Sequence, residues 1–474
     1  MHATFAPSSP ADPHSRKGCI SHAIAYFEQG GLLRDLRRRI AYQSESDQGE
    51  LPPALAAYLQ DEMGPYLTAM GFSVQMLPNP IDGGGPFLVA RRIEDVSLPT
   101  VLLYGHGDVV SGAPSSWRAG LDPWRVVVEG ERWYGRGTAD NKGQHSISLA
   151  SLQAAINARG GSLGYNVTVL LESGEEAGSP GLLEFCDKHR DLLSADLFIG
   201  CDGPRISIDQ PTLFLGSRGM VNFTLSLDCR EGAFHSGNWG GVLRNPATVL
   251  ANAIATMINA QGVMLVDGLH APAISPEIRN AVSNLPIAGG SNDPALDEGW
   301  GEPGLTPPER LIAWNTMEVL ALASGNGTRP VNAIPPRAVA HCQLRFVVGT
   351  QWERLEELIR DHLQLHGFQD VKIKVSMATA ATRLDLSNPW VPWCVNSLRL
   401  TTSQPIAVMP NLAGSIPNAA FSEVLGLPTL WIPHSYPACG QHGPNEHLLA
   451  PIARQGLEMM AGLYWDLGEP GSPW

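Results

Sequence analysis

Residues 100–108 read TVLLYGHGD. Thr100–Tyr104 is an apolar run without alternation, the pattern of a strand buried on both faces, and it ends directly in Gly105-His106-Gly107-Asp108. The same arrangement recurs along the chain. Asn166–Glu172 (NVTVLLE) runs into Ser173-Gly174-Glu175-Glu176, and Asp196–Cys201 (DLFIGC) runs into Asp202-Gly203. Pro428–Ile432 (PTLWI) is followed by Pro433-His434 and then by Gln441-His442-Gly443. Between these strands, His145–Ala158 carries apolar residues at Ile147, Leu149, Ala150, Leu152 and Ile156 and stops at Gly160-Gly161, which suits a helix lying on a parallel sheet. The fold expected is α/β, with a mostly parallel sheet flanked by helices.

The middle of the chain has a different rhythm. Val221–Leu227, Val339–Val347 and Asp370–Ser376 alternate apolar and polar residues, and Pro246–Ala260 and Trp352–His366 read as helices. Two helices on an antiparallel sheet would make a compact α+β module. Residues 268–309, rich in Pro, Gly and Asp, read as a long surface excursion. The expected organisation is a discontinuous domain, 1–215 plus 385–474, interrupted by a smaller domain over 216–384.

Composition narrows the function. The 474 residues hold 46 acidic and 32 basic side chains, a net charge of −14, and 43% apolar residues, which excludes a disordered chain. That charge disfavours nucleic acid or an anionic membrane as partner. No apolar run of about 18 residues occurs, and Met1–Lys17 is polar and Pro-rich, so neither a spanning helix nor a secretory signal is expected. The seven cysteines are scattered, with no Cys-x-x-Cys, which points to a reducing cytoplasm.

In an open α/β sheet the carboxyl ends of parallel strands share one edge, where ligands bind. His106, Asp108, Glu175, Glu176, Asp202 and His442 would thus converge, joined by Asp140 just before the 145–158 helix. Imidazole with carboxylate is the donor set for zinc, manganese or cobalt. Each group has a plainer reading: a structural histidine, a solvated Glu-Glu turn, a helix-capping aspartate. The repeated coincidence at strand ends favours a metal site. Cys439, three residues before His442, is a further thiolate candidate. Gly135-x-Gly137 lacks the preceding strand and third glycine of a dinucleotide fingerprint, and no Gly-x-Ser-x-Gly elbow occurs.

The segments YGHGDVV (104–110), WYGRGTADNKG (133–143), ESGEEAGSPGL (172–182), FHSGNWGG (234–241) and QHGPNEH (441–447) resemble a family of zinc metallopeptidases. That family comprises the aminopeptidases, carboxypeptidase G, aminoacylase, the carnosinase-type dipeptidases, acetylornithine deacetylase and succinyl-diaminopimelate desuccinylase. The motifs follow the family's order over residues 100–450. The resemblance, greatest to the carnosinase-type branch, implies a two-metal catalytic domain with an inserted lid that dimerises. It implies that His106, Asp140 and Asp202 hold one metal and that Asp140, Glu176 and His442 hold the second, with a cis peptide after Asp140. Glu175 would be the general base and acid, and Asp108 the partner of His106. His235 would stabilise the oxyanion, reaching the partner subunit's site. Asn332, Arg345, Gly414 and Ser415 would contact substrate. A guanidinium at Arg345 suits a substrate carboxylate. Two departures from the branch, Asn411-Leu412-Ala413 before Gly414-Ser415-Ile416-Pro417 and Gly203-Pro204 after Asp202, leave the chemistry intact but bear on specificity. Trp390, Trp393 and Trp431 could line the pocket or pack the core.

The expected activity is therefore hydrolysis of a dipeptide, or of an N-acyl amino acid with a free carboxylate, by a cytoplasmic homodimer carrying two divalent metal ions, zinc first. The alternatives are a non-catalytic binding member of the same fold, an amidase on a non-peptide amide, and a dehydrogenase-like enzyme. The presence of Glu175 and every expected ligand speaks against the non-catalytic role, and the incomplete glycine fingerprint against the dehydrogenase-like one.

Overall fold

The computed structural model describes residues 12–46, 51–288 and 294–474, and the chain forms two compact units. The first runs to Leu215 and resumes over Leu384–Val408 and Ile416–Trp474; the second comprises Gly216–Arg383 and Met409–Ser415.

An eight-stranded sheet organises the first unit. Its centre is four mutually parallel strands in the order Asn166–Glu172, Thr100–His106, Leu197–Gly200 and Thr429–Trp431. Antiparallel strands Phe87–Arg92 and Ser73–Leu77 extend one side, and Thr212–Phe214 pairs antiparallel on the other. Every residue of Asn166–Glu172 is buried, as continuous apolar runs require when helices cover both faces. Helices Arg16–Glu28, Lys142–Ala158, Trp390–Thr402 and Ala450–Leu467 contribute to one apolar core with the strands. Lys142–Ala158 is buried almost throughout, and its hydroxyls find partners there: Ser148 meets the Tyr464 hydroxyl at 2.6 Å and Ser151 donates to the Leu457 carbonyl at 3.1 Å. In register, His106 faces Glu172 and Tyr104 faces Gly200, so the ends of these strands form one edge.

The second unit is a four-stranded antiparallel sheet, ordered Thr316–Ser324, Arg337–Phe346, Gly219–Asp228, Lys372–Thr379. Helices Pro246–Met257 and Leu355–Leu365 pack their buried faces against Val221, Phe223, Leu225, Leu344 and Phe346.

Some elements differ from the sequence reading. The helix over 145–158 starts three residues earlier, at Lys142. The helix from Pro246 ends at Met257, because Ile258 turns extended and bridges Met264. Trp352–Arg354 is a 3-10 turn preceding the helix proper. The 268–309 excursion, apart from 289–293, which lie outside the described residues, contains one short helix, Pro276–Val282, and the start of a second, Pro307–Ala313. Their cap signals are local: Ser275 accepts from Ile278 N–H, and Thr306 with Glu309 forms a capping box. Trp431 is fully buried against Phe198 and Tyr104, and Trp390 packs on Trp393 and Trp474, so these rings serve the core. Among the described residues no helix is long and apolar enough to cross a membrane.

Candidate metal centre

His106 is the last residue of its strand and is fully buried. The backbone around it is close-packed: a Cβ at Gly107 would fall 2.4 Å from the Tyr58 ring, so only glycine fits. His106 Nε2 lies 3.1 Å from Asp140 Oδ1, 3.6 Å from Asp202 Oδ2 and 3.9 Å from Glu175 Oε2. On the other side, His442 Nε2 lies 3.2 Å from Asp140 Oδ2 and 3.0 Å from Glu176 Oε2. Asp140 thus divides its two oxygens between two groups. His106, Asp140 and Asp202 form one set of atoms within 4.8 Å of one another, and Asp140, Glu176 and His442 form a second. The Asp140–Asn141 peptide is cis, and His442 adopts a left-handed backbone at φ 58°.

Asp108 does more than pair with His106. His106 Nδ1 is nearest the Asp108 backbone oxygen, at 3.1 Å, with the carboxylate at 3.4 Å. The Asp108 carboxylate instead accepts the Glu175 and Glu176 backbone N–H groups at 3.1 and 3.0 Å and the Ser46 hydroxyl at 2.7 Å. It therefore fixes the turn that carries both glutamates.

Crowding of buried acids shapes the electrostatics. Burial raises Glu175 well above the usual carboxylate range, and Asp202 and Glu176 add to this against the opposing pull of His106. Burial together with the charge of Asp140 pushes Glu176 up to about 7 and Asp202 to about 6. For Asp140 burial acts upward too, but hydrogen bonds with His106 and His442 outweigh it and hold the group below its ordinary value. Hydrogen bonds to Asp140 and Glu176 lift His442 to about 11. Four crowded carboxylates, Asp140 and Asp202 buried and Glu175 and Glu176 half-buried, surround two imidazoles and are short of positive charge, and the oxygen and nitrogen donors fit divalent cations. Cys439 does not join them: it is buried, and burial pushes its thiol up to about 12.

With this geometry in view, the similarities are informative. The profile of peptidase family M20/M25/M40 matches residues 102–466. The chain belongs to that family. It is accordingly a hydrolase of peptide or related C–N bonds, and the dehydrogenase-like alternative falls away. A Beta-Ala-His dipeptidase of Rattus norvegicus is 25% identical over 500 residues, covering 96% of this chain and 97% of the relative. A Cys-Gly metallodipeptidase of Candida albicans is 27% identical over 468 residues, covering 91% and 93%. Among solved structures, an M20 metallo-carboxypeptidase of Sulfolobus solfataricus superposes with a TM-score of 0.80 at 24% identity, over 92% of this chain and 98% of that one; it shares the α/β fold described above.

Two supports of this M20 centre were not singled out in the sequence. Glu446, fully buried, accepts the backbone N–H groups of Gly137 at 3.0 Å, Ala139 at 2.8 Å and Asp140 at 3.0 Å, and pairs with Arg136 at 2.7 Å. The N–H groups of the Gly135-x-Gly137 loop thus cradle a carboxylate of the chain itself. Arg136 also donates to the Gly443 carbonyl at 3.0 Å, tying the loop of Asp140 to that of His442. The clue available was Glu446 lying inside the QHGPNEH segment. The second support is His145, which burial keeps neutral. Its Nε2 accepts from the Tyr58 hydroxyl at 2.6 Å and its Nδ1 donates to Asn141 Oδ1 at 3.1 Å, while Asn141 Nδ2 donates to the Cys201 carbonyl at 2.7 Å.

The remaining candidates lie in the second unit. His235, exposed, pairs across a two-residue bridge with Ala333, next to Asn332, whose carbonyl accepts the Ser236 N–H at 2.9 Å. His235 Nδ1 accepts from Gly237 N–H at 3.1 Å. Arg345 Nη1 donates to Ser415 Oγ at 2.9 Å, with Gly414 adjacent.

Proposed function

We propose that this chain is a metal-dependent dipeptidase that uses two divalent ions, zinc first and manganese or cobalt otherwise. The observation that carries the reading is the division of Asp140, one oxygen toward His106 and the other toward His442. His106, Asp140 and Asp202 would hold one ion, and Asp140, Glu176 and His442 the other. A pair of ions bound there supplies Lewis acidity, making water acidic enough to attack an amide carbonyl near neutral pH.

The chain's own groups do the rest. Glu175 takes the proton of the attacking water and returns it to the leaving amine; its raised affinity for protons suits it to both steps. Asp108 positions Glu175 and Glu176 through their backbone N–H groups. His235 stabilises the developing oxyanion. Asn332, Gly414 and Ser415 orient the substrate, and Arg345 receives its terminal carboxylate. The relatives named Beta-Ala-His dipeptidase and Cys-Gly metallodipeptidase favour a dipeptide over an N-acyl amino acid.

We read the assembly as a homodimer through the second unit. Its edge strand Thr316–Ser324 exposes Val319, Leu320 and Leu322, an apolar edge suited to pairing with a second copy. A reducing cytoplasm fits the seven free thiols.

The test is a substrate panel on the metal-loaded protein: dipeptides, N-acyl amino acids and N-carbamoyl amides. Release of both amino acids from dipeptides supports the reading. Turnover confined to the other two classes would replace it with an aminoacylase or an amidase.

A further inference from the structure

Three arginines in the second unit dock on one short segment. Arg383 Nε and Nη2 donate to Asn411 Oδ1 at 3.2 and 2.6 Å. Arg218 Nε donates to the Ala413 carbonyl at 2.8 Å, and Nη1 to the Trp314 carbonyl at 3.4 Å. Arg345 donates to Gln343 Oε1 at 2.8 Å and to Ser415 Oγ at 2.9 Å. The backbone holds them together: Arg218 N–H donates to the Leu412 carbonyl, Leu412 N–H to that of Gly216, and Gly216 pairs with Arg383. Ser415 Oγ donates to the Arg218 carbonyl at 2.8 Å, joining the first arginine to the third.

Every acceptor on these guanidinium groups is neutral. Among the described residues none of the three has a carboxylate within 4.0 Å, in a chain with 46 acidic side chains. Glu318, opposite Gln343 in the sheet, is an exposed acid outside ion-pair reach of all three, and its charge opposes the effect of burial on Arg218 only from a distance. Arg218 is 6% exposed and the other two are half-buried, so solvent screens them less than it would a surface arginine. Burial depresses all three, Arg218 to about 10. Nη2 of Arg218, Nη2 of Arg345 and Nη1 of Arg383 remain without an acceptor among the described residues. Guanidinium groups with no carboxylate in direct contact, and with donors to spare, are what a carboxylate ligand completes.

We propose that Arg218, Arg345 and Arg383, gathered on residues 411–415, form a subsite for two carboxylates, so that the preferred substrate has an acidic residue on the C-terminal side of the scissile bond. This rests on the peptidase reading and extends it: Arg345 receives the terminal carboxylate, and Arg383 with Arg218 the side-chain one.

Isosteric substrates isolate the charge. The metal-loaded protein is given Ala-Glu and Ala-Gln. The expected kcat/KM favours Ala-Glu by tenfold or more, and Arg383→Gln lowers that ratio at least fivefold. Arg218→Lys, at a buried site, is the second variant and should lower it likewise. A wild-type ratio near one, or a ratio preserved in Arg383→Gln, overturns the proposal. If neither dipeptide is cleaved, the peptidase reading is what has failed, and ligand binding then decides the subsite. Glutarate should raise the thermal midpoint at a tenfold lower concentration than its monoamide, an advantage lost in Arg383→Gln. Equal potency of the two would overturn the subsite.

Discussion

The carboxylate of Glu446 accepts the backbone N–H of Asp140 at 3.0 Å across 306 positions of chain. That contact fixes the residue shared by both candidate ligand groups from behind, through its main chain. Removal of the carboxylate would leave the Arg136 guanidinium buried without its partner and several N–H groups unsatisfied. Glu446→Ala should therefore cost about 3–5 kcal/mol of stability. The milder Glu446→Gln should fold and weaken metal affinity by about 10–100-fold, the usual effect of losing a group that orients a ligand. Chemical denaturation and metal titration measure the two effects. Unchanged metal affinity in the glutamine variant would remove Glu446 from the support of the centre.

Glu175 approaches His106 less closely than Asp140 does, 3.9 Å against 3.1 Å, and belongs to neither ligand group. A general base should have that position: near the reacting water, but not needed to hold the ions. Glu175→Gln should keep its metal content while kcat falls by about 10²–10⁴, the range for a positioned proton acceptor. Elemental analysis and steady-state rates on one preparation check both halves.

His442 differs from His106 in setting. His106 is fully buried with its second nitrogen held by Asp108, whereas the His442 side chain is 60% exposed. His106→Ala should lose metal and stability together. His442→Ala should lose metal with little change in the thermal midpoint of the metal-free protein. Equal destabilisation by both would contradict the distinction.

Glu172 gives a dependence on pH that needs no metal. Burial, followed by the nearby Asp108 charge, raises it from 4.5 to about 7, against hydrogen bonds from Tyr104 and Ser179. The folded state holds this proton more tightly than the unfolded chain. The favourable contribution is therefore complete below pH 4.5 and is lost as pH rises toward 7, at about 1.4 kcal/mol for each unit of the shift. Glu172→Gln should flatten the fall in thermal midpoint between pH 5 and 7. An equally steep fall in the variant would assign that dependence elsewhere.

Much of the centre was legible because its signal is local. Strands buried on both faces announce themselves as unbroken apolar runs, and the residue after each run must lie at the shared edge. His106, Glu175, Glu176 and Asp202 follow from that rule. Glu446 did not, since its partners are backbone N–H groups that carry no side-chain signature, and its role exists only once residues 137–140 and 446 are folded together. Asp108 stands two residues from His106 in the sequence, but its hold on the 175–176 turn depends on strand order. The helices at Pro276 and Pro307 had readable caps, Ser275 and Thr306 with Glu309, yet the surrounding Pro and Gly content outweighed those cues.

The central claim is that Asp140 is shared by two metal ions, and diffraction from crystals soaked in a zinc salt tests it most directly. The account predicts two anomalous peaks per chain, one among His106, Asp140 and Asp202 and the other among Asp140, Glu176 and His442, with both weakened in Asp140→Asn. Peaks elsewhere, a single peak untouched by that substitution, or none at saturating zinc would contradict it.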